Sequence, residues 1–108
     1  MSWRDLVIGR HGESLGGEVL DASFAITTVF GQPLTFKTRD LCWIHFKNPP
    51  QFPEDEIWTV NDDCVRGALQ GTAVSFRPAG QKPISIPHSA IHTLLVNQSF
   101  AAGPGLEP

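Results

Sequence analysis

Apolar and polar positions alternate along most of this chain, in short runs that stop at Gly, Pro, Asn or Asp. A period of two marks a half-buried strand, because successive side chains leave a strand on opposite faces. On that basis strands are expected at 5–9, 15–20, 23–30, 33–37 and 41–46. Arg10-His11-Gly12-Glu13-Ser14 and Gly31-Gln32 read as turns between them. The apolar positions change parity between Val19 and the pair Phe24 and Ile26. A strand cannot do this without a turn or bulge, so a tight turn is expected at 21–23. Gly16-Gly17 inside the second strand predicts a bend where another backbone comes close. Leu41, Ile44 and Phe46 mix a spacing of three with one of two, which predicts one helical turn ahead of the last strand.

The same pattern then returns. Gly17 is matched by Gly67 at an offset of 50 residues, and Asp5, Val7 and Val19 by Asp55, Ile57 and Leu69. Phe24 and Ile26 meet Val74 and Phe76, and Leu41, Ile44 and Phe46 meet Ile91, Leu94 and Val96. Even Pro33-Leu34-Thr35-Phe36 has its counterpart in Pro83-Ile84-Ser85-Ile86. A fixed period of this kind predicts an architecture built from one unit used twice. The expected fold is therefore all-β: two tandem five-stranded units, 5–47 and 54–96, related by pseudo-twofold symmetry within one domain, 1–98. Asn48-Pro49-Pro50-Gln51-Phe52-Pro53 joins them as a stiff linker, and the small, Pro- and Gly-rich tail 99–108 is expected to be disordered. A unit of this size is marginal alone, so the two should share a core or lean on another chain.

Five short strands, a Gly-bearing bent second strand and a one-turn element before the last resemble the small barrels of the Sm-like and SH3-like folds. The residues that carry the resemblance are Asp5-x-Val7, Gly12, Gly17-x-Val19, Phe24-x-Ile26, Gly31, Leu34-x-Phe36 and Leu41-x-x-Ile44. The Asp-x-Val strand and Gly turn are also similar to repeats in uncharacterised bacterial envelope proteins. The Sm-like resemblance implies a ring-forming RNA binder, with Asp21, Phe24 and Arg39 presented around a pore. The chain departs from that pattern in two places. No Asn follows Asp21-Ala22-Ser23-Phe24, and Arg39-Asp40 and Ser89-Ala90 stand where an Arg-Gly pair is expected.

Composition narrows the picture. The 108 residues carry a net charge of −3, and their eight Lys and Arg are spread singly, without the basic stripe of a DNA-binding surface. No run of apolar residues is long enough for a membrane span, and Met-Ser-Trp-Arg-Asp does not open a secretory leader, so a cytoplasmic protein with no membrane partner is expected. Cys42 and Cys64 stand among apolar neighbours and read as buried thiols in preference to a disulfide.

Little of the chain suggests catalysis. There is no Gly-x-Ser-x-Gly elbow, the Gly-rich stretch 12–17 lacks the Lys-Ser/Thr of a phosphate loop, and His88-Ser89 are adjacent in a turn. The reading is a non-enzyme with no cofactor. Cys42, His45, His88 and His92 are four conceivable metal ligands, but residues three apart on a strand diverge, so no metal site is expected. The acidic stretch Glu54-Asp55-Glu56 with Asp62-Asp63 reads as a solvated turn. Among Trp3, Trp43 and Trp58, Trp43 is conspicuous because its counterpart is Thr93. An aromatic that breaks a repeat's symmetry suits an interface. The apolar last strands of the two units either offer edges to another chain or pair with each other. The expected function is thus a binding or assembly module using sheet edges and the aromatics Trp43 and Trp58. Its partner is itself or another protein; RNA or a metal is the alternative.

Overall fold

The computed structural model describes residues 2–98 and 100–101. Ten strands form one antiparallel, curled sheet: β2 (Asp5–Gly9), β3 (Ser14–Val19), β4 (Ser23–Thr28), β5 (Pro33–Lys37), β6 (Leu41–His45), β7 (Asp55–Thr59), β8 (Cys64–Leu69), β9 (Ala73–Pro78), β10 (Ile84–Pro87) and β11 (Ile91–Leu95). A separate pair joins β1 (Ser2–Trp3) to β12 (Phe100–Ala101). Single turns of 3-10 helix, Thr38–Asp40 and His88–Ala90, precede β6 and β11. The expected tail lies mostly outside the described residues, as do the side chain of Trp3 and those of β12. No helix among the described residues is long and apolar enough to cross a membrane.

The order across the sheet is β10-β9-β3-β2-β11-β6-β7-β8-β4-β5. Shifting each strand to its counterpart fifty residues away reproduces this order read from the other end. The midpoint is the antiparallel pair β6–β11, where Ile44 faces Leu94. The two apolar last strands therefore satisfy each other, and the sheet's free edges are instead β5 and β10. Pro33 begins one edge and Pro87 ends the other, and proline blunts an edge because it has no N–H to offer.

One expectation is corrected. β3 and β4 are joined by only 20–22, yet they are not neighbours: β3 pairs with β9 and β4 with β8. The parity change after Val19 marks a crossover and not a tight turn between paired strands. Each five-strand half of the sheet thus draws strands from both halves of the sequence. The crossing is why Gly17 and Gly67 are glycine. A Cβ at Gly17 would overlap the Arg77 carbonyl oxygen, and one at Gly67 would overlap that of Thr27.

Among the described residues, the inner face holds fourteen buried apolar side chains. They fall into seven pairs fifty residues apart: Val7/Ile57, Val19/Leu69, Phe24/Val74, Ile26/Phe76, Leu41/Ile91, Ile44/Leu94 and Phe46/Val96. Large and small residues trade places between Phe24-x-Ile26 and Val74-x-Phe76, which conserves volume in a shared core. Two carboxylates complete it. Asp5 accepts from the amides of Val19 (2.7 Å) and Asn97 (2.9 Å), and Asp55 from those of Leu69 and Lys47 (both 2.8 Å). Each aspartate fastens its own following strand to the segment that leaves a last strand of the other half. Burial of an unpaired carboxylate would be costly, and these hydrogen bonds offset it.

Candidate functional site

Alternation that sends Val7, Ile44, Ile57 and Leu94 inward sends their neighbours outward on the four central strands β2, β11, β6 and β7. Register then sorts the outward residues into two transverse rows. In the first, Leu6 faces Leu95, Leu95 faces Trp43, Trp43 faces Trp58 and Trp58 faces Cys64. In the second, Ile8, Thr93, His45, Glu56 and Arg66 follow one another across the same strands. One row is apolar and aromatic, the other chiefly polar.

Trp43 is 40% exposed, and its ring meets that of Trp58 edge-on, with centroids 5.7 Å apart. Such cross-strand aromatic pairs are rigid and add to the stabilisation from buried area. Trp58 Nε1 donates to Glu56 Oε1 (3.2 Å), and Glu56 Oε2 accepts from Arg66 Nε (2.9 Å), so a polar rim adjoins the aromatic row. Beyond Trp58 the apolar surface continues into a shallow groove of about 470 Å³ that Val29, Phe30, Leu34 and Cys64 help to line. Phe30, at the tip of the β4–β5 hairpin, is 93% exposed. Both cysteines are free; Cys42 is half-buried and Cys64 exposed, which corrects the expectation of two buried thiols. Partial burial, with Glu56 nearby, pushes the Cys64 thiol up.

His45 packs against Phe52 and His92, at centroid distances of 4.3 and 4.8 Å. Its pKa lies below the ordinary imidazole value, first because of burial and then because of His92. Its Nε2 is buried without a hydrogen-bond partner. His92 Nδ1 lies 2.8 Å from Thr93 Oγ1.

No protein family, curated protein or solved structure matches the chain.

The structure brings some of the expected residues together and separates others. Trp43 and Trp58 are in contact. Asp21 and Arg39 sit in adjoining segments, since Thr38 Oγ1 donates to the Asp21 carbonyl (2.6 Å). The Asp21 carboxylate accepts from Ser75 N (2.9 Å), and Arg39 is exposed on its 3-10 turn. Phe24 lies in the core and presents no ring at the surface for a base to stack on. Of the conceivable metal ligands, His45 and His92 adjoin, whereas His88 packs on Phe46 and Cys42 Sγ lies 3.3 Å from Gln98 Nε2. Among the described residues no three His, Cys, Asp or Glu gather where they could hold a metal ion.

Sequence reasoning missed the partners of Trp43. Leu6 and Leu95 are unremarkable in the sequence, and only the register between strands sets them in line with it. The structural role of Asp5 and Asp55 was also missed, although their equivalence fifty residues apart was visible.

Proposed function

We propose that this chain is a non-enzymatic, cytoplasmic binding or assembly module that associates with a second copy of itself through the outer face of its central strands. We also infer that 5–47 and 54–96 are fused small-barrel repeats of Sm-like or SH3-like type, with their third and fourth strands exchanged. The observation that carries the functional reading is the row Leu6–Leu95–Trp43–Trp58, apolar from end to end on the outer face of the sheet, with Trp43 40% exposed. Aromatic anchors in a dry centre with charged residues at the rim are the usual anatomy of a protein interface. Such a row is also self-complementary. A twofold axis lying along it sets each row on its copy, and closed twofold pairing is the commonest form of association between identical chains.

The test is fluorine NMR of protein labelled with 5-fluorotryptophan, with the Trp43 signal assigned from Trp43→Phe. Association predicts that the Trp43 resonance moves or broadens with concentration and that Trp58 follows it. A Trp43 resonance unchanged over about a hundredfold dilution would remove the outer face as the contact.

A further inference from the structure

A cavity of about 830 Å³ opens beside the end of β6 and the second 3-10 turn. Arg10, Lys47, Asp55, Phe46, His88 and Thr72 are among the residues that line it, and none of the outer row is. Arg10 ties its walls together: Nε donates to the Ser89 carbonyl (3.2 Å) and Nη2 to that of Lys47 (2.7 Å). Nη1 is buried and has no acceptor. A buried cationic donor left over in this way is a place where an acceptor belongs. His88 packs on Phe46 with ring centroids 5.1 Å apart and is held below its ordinary pKa, chiefly by burial. The Asp55 carboxylate is already engaged by the amides of Lys47 and Leu69.

The equivalent place in the other half is lined by different side chains. Asn97, the counterpart of Lys47, donates from Nδ2 to the carbonyls of Thr38 (3.0 Å) and Leu41 (2.9 Å). Thr38 stands for His88, and Asp21 occupies the position of Gly71 and is fastened to Ser75. Val60 stands for Arg10. Within an otherwise matched core, the molecule breaks its own symmetry here. Arg10, Lys47 and His88 line the cavity, and the residues at their counterpart positions are Val60, Asn97 and Thr38.

We propose that this cavity binds a small organic anion, a carboxylate or phosphate head on an apolar body. The head is held by Arg10 and Lys47, and the body lies against Phe46, Leu69 and Pro87. Arginine supplies directed donors and lysine a mobile point charge, a pairing suited to such a head. The volume falls in the range of small-molecule sites. Asp55 limits the charge the cavity accepts and favours one anionic group over several.

The test is a two-dimensional ¹H–¹⁵N NMR titration of the intact protein with benzoate, phenyl phosphate and the neutral benzyl alcohol. The two anions separate a carboxylate preference from a phosphate one. At least one is expected to shift the amides of Thr72, His88 and Ser89 saturably, with a dissociation constant below about 1 mM. Benzyl alcohol is expected to leave them in place. Lys47→Ala, at an exposed side chain the fold does not need, should weaken binding about tenfold, the equivalent of one charge-assisted hydrogen bond. Arg10→Lys keeps the charge, removes the directed donors and should weaken it as well. No saturable shift with either anion at about 10 mM would overturn the proposal, as would equal binding by Lys47→Ala or by benzyl alcohol.

Discussion

Asp5→Ala and Asp55→Ala probe the join between the two halves. Asp5 is 3% exposed and Asp55 5%, and each side chain accepts two backbone amides at 2.7–2.9 Å. Truncation strands both donors. A buried donor left unpaired costs about 1–3 kcal/mol. The amides of Val19 and Leu69 are deep, whereas Asn97 and Lys47 belong to exposed residues whose amides water can reach. The expected loss is therefore about 2–4 kcal/mol for either variant, a large share of the 5–15 kcal/mol that holds a domain of this size together. With a urea slope of about 2 kcal/mol/M, each unfolding midpoint should fall by about 1–2 M. Urea denaturation followed by tryptophan fluorescence and by far-ultraviolet circular dichroism measures this, with coincidence of the two signals as the check on two-state behaviour. Asp5→Asn, which keeps one acceptor, should lose roughly half as much. An unchanged midpoint for either alanine variant would refute the reasoning, since the two aspartates hold equivalent partners.

Two further outcomes follow from the same geometry. Gly17→Ala and Gly67→Ala should each destabilise the fold by more than the roughly 1 kcal/mol that strand propensity differences span, because the new methyl group meets backbone and not a movable side chain; thermal melts that match wild type would contradict the crossing. Burial holds both His45 and His88 below the ordinary imidazole pKa, so the unfolded chain takes up protons first as pH falls. Their contribution is fully present above about pH 6.5 and is lost as pH falls from there towards the lower native values. Urea midpoints should decline between about pH 7 and 5.5, less so in His88→Gln, and a flat profile would show that neither ring is desolvated.

Much of the fold is legible in the sequence because burial imposes a period of two. Among the described residues, every buried apolar residue belongs to a pair that the fifty-residue offset matches, from Val7 and Ile57 to Phe46 and Val96. What the pattern does not encode is adjacency. The alternation in β4 says which face is buried, but nothing in Phe24-x-Ile26 says that the neighbour is β8 and not β3. Two traces of the exchange were present, the parity change after Val19 and the glycine at 17. The first also fits a turn, and the second names no partner. Phe24 shows the same limit. Its place after Asp21 suggested a ligand contact, whereas its parity with Ile26 puts it in the core. Trp43 stood out by lacking an aromatic counterpart, but Leu95 beside it and Leu6 one strand further come from strands distant in sequence and are aligned with it by register alone.

The claim that the outer face mediates self-association is tested most directly by the native mass in solution, measured by light scattering across a dilution series for wild type and Trp43→Glu. Wild type should reach the mass of two 11.8 kDa chains at high concentration and dissociate on dilution, while Trp43→Glu, folded by circular dichroism, stays at one. A wild-type mass of one chain throughout, or a dimer that Trp43→Glu leaves intact, would contradict the account.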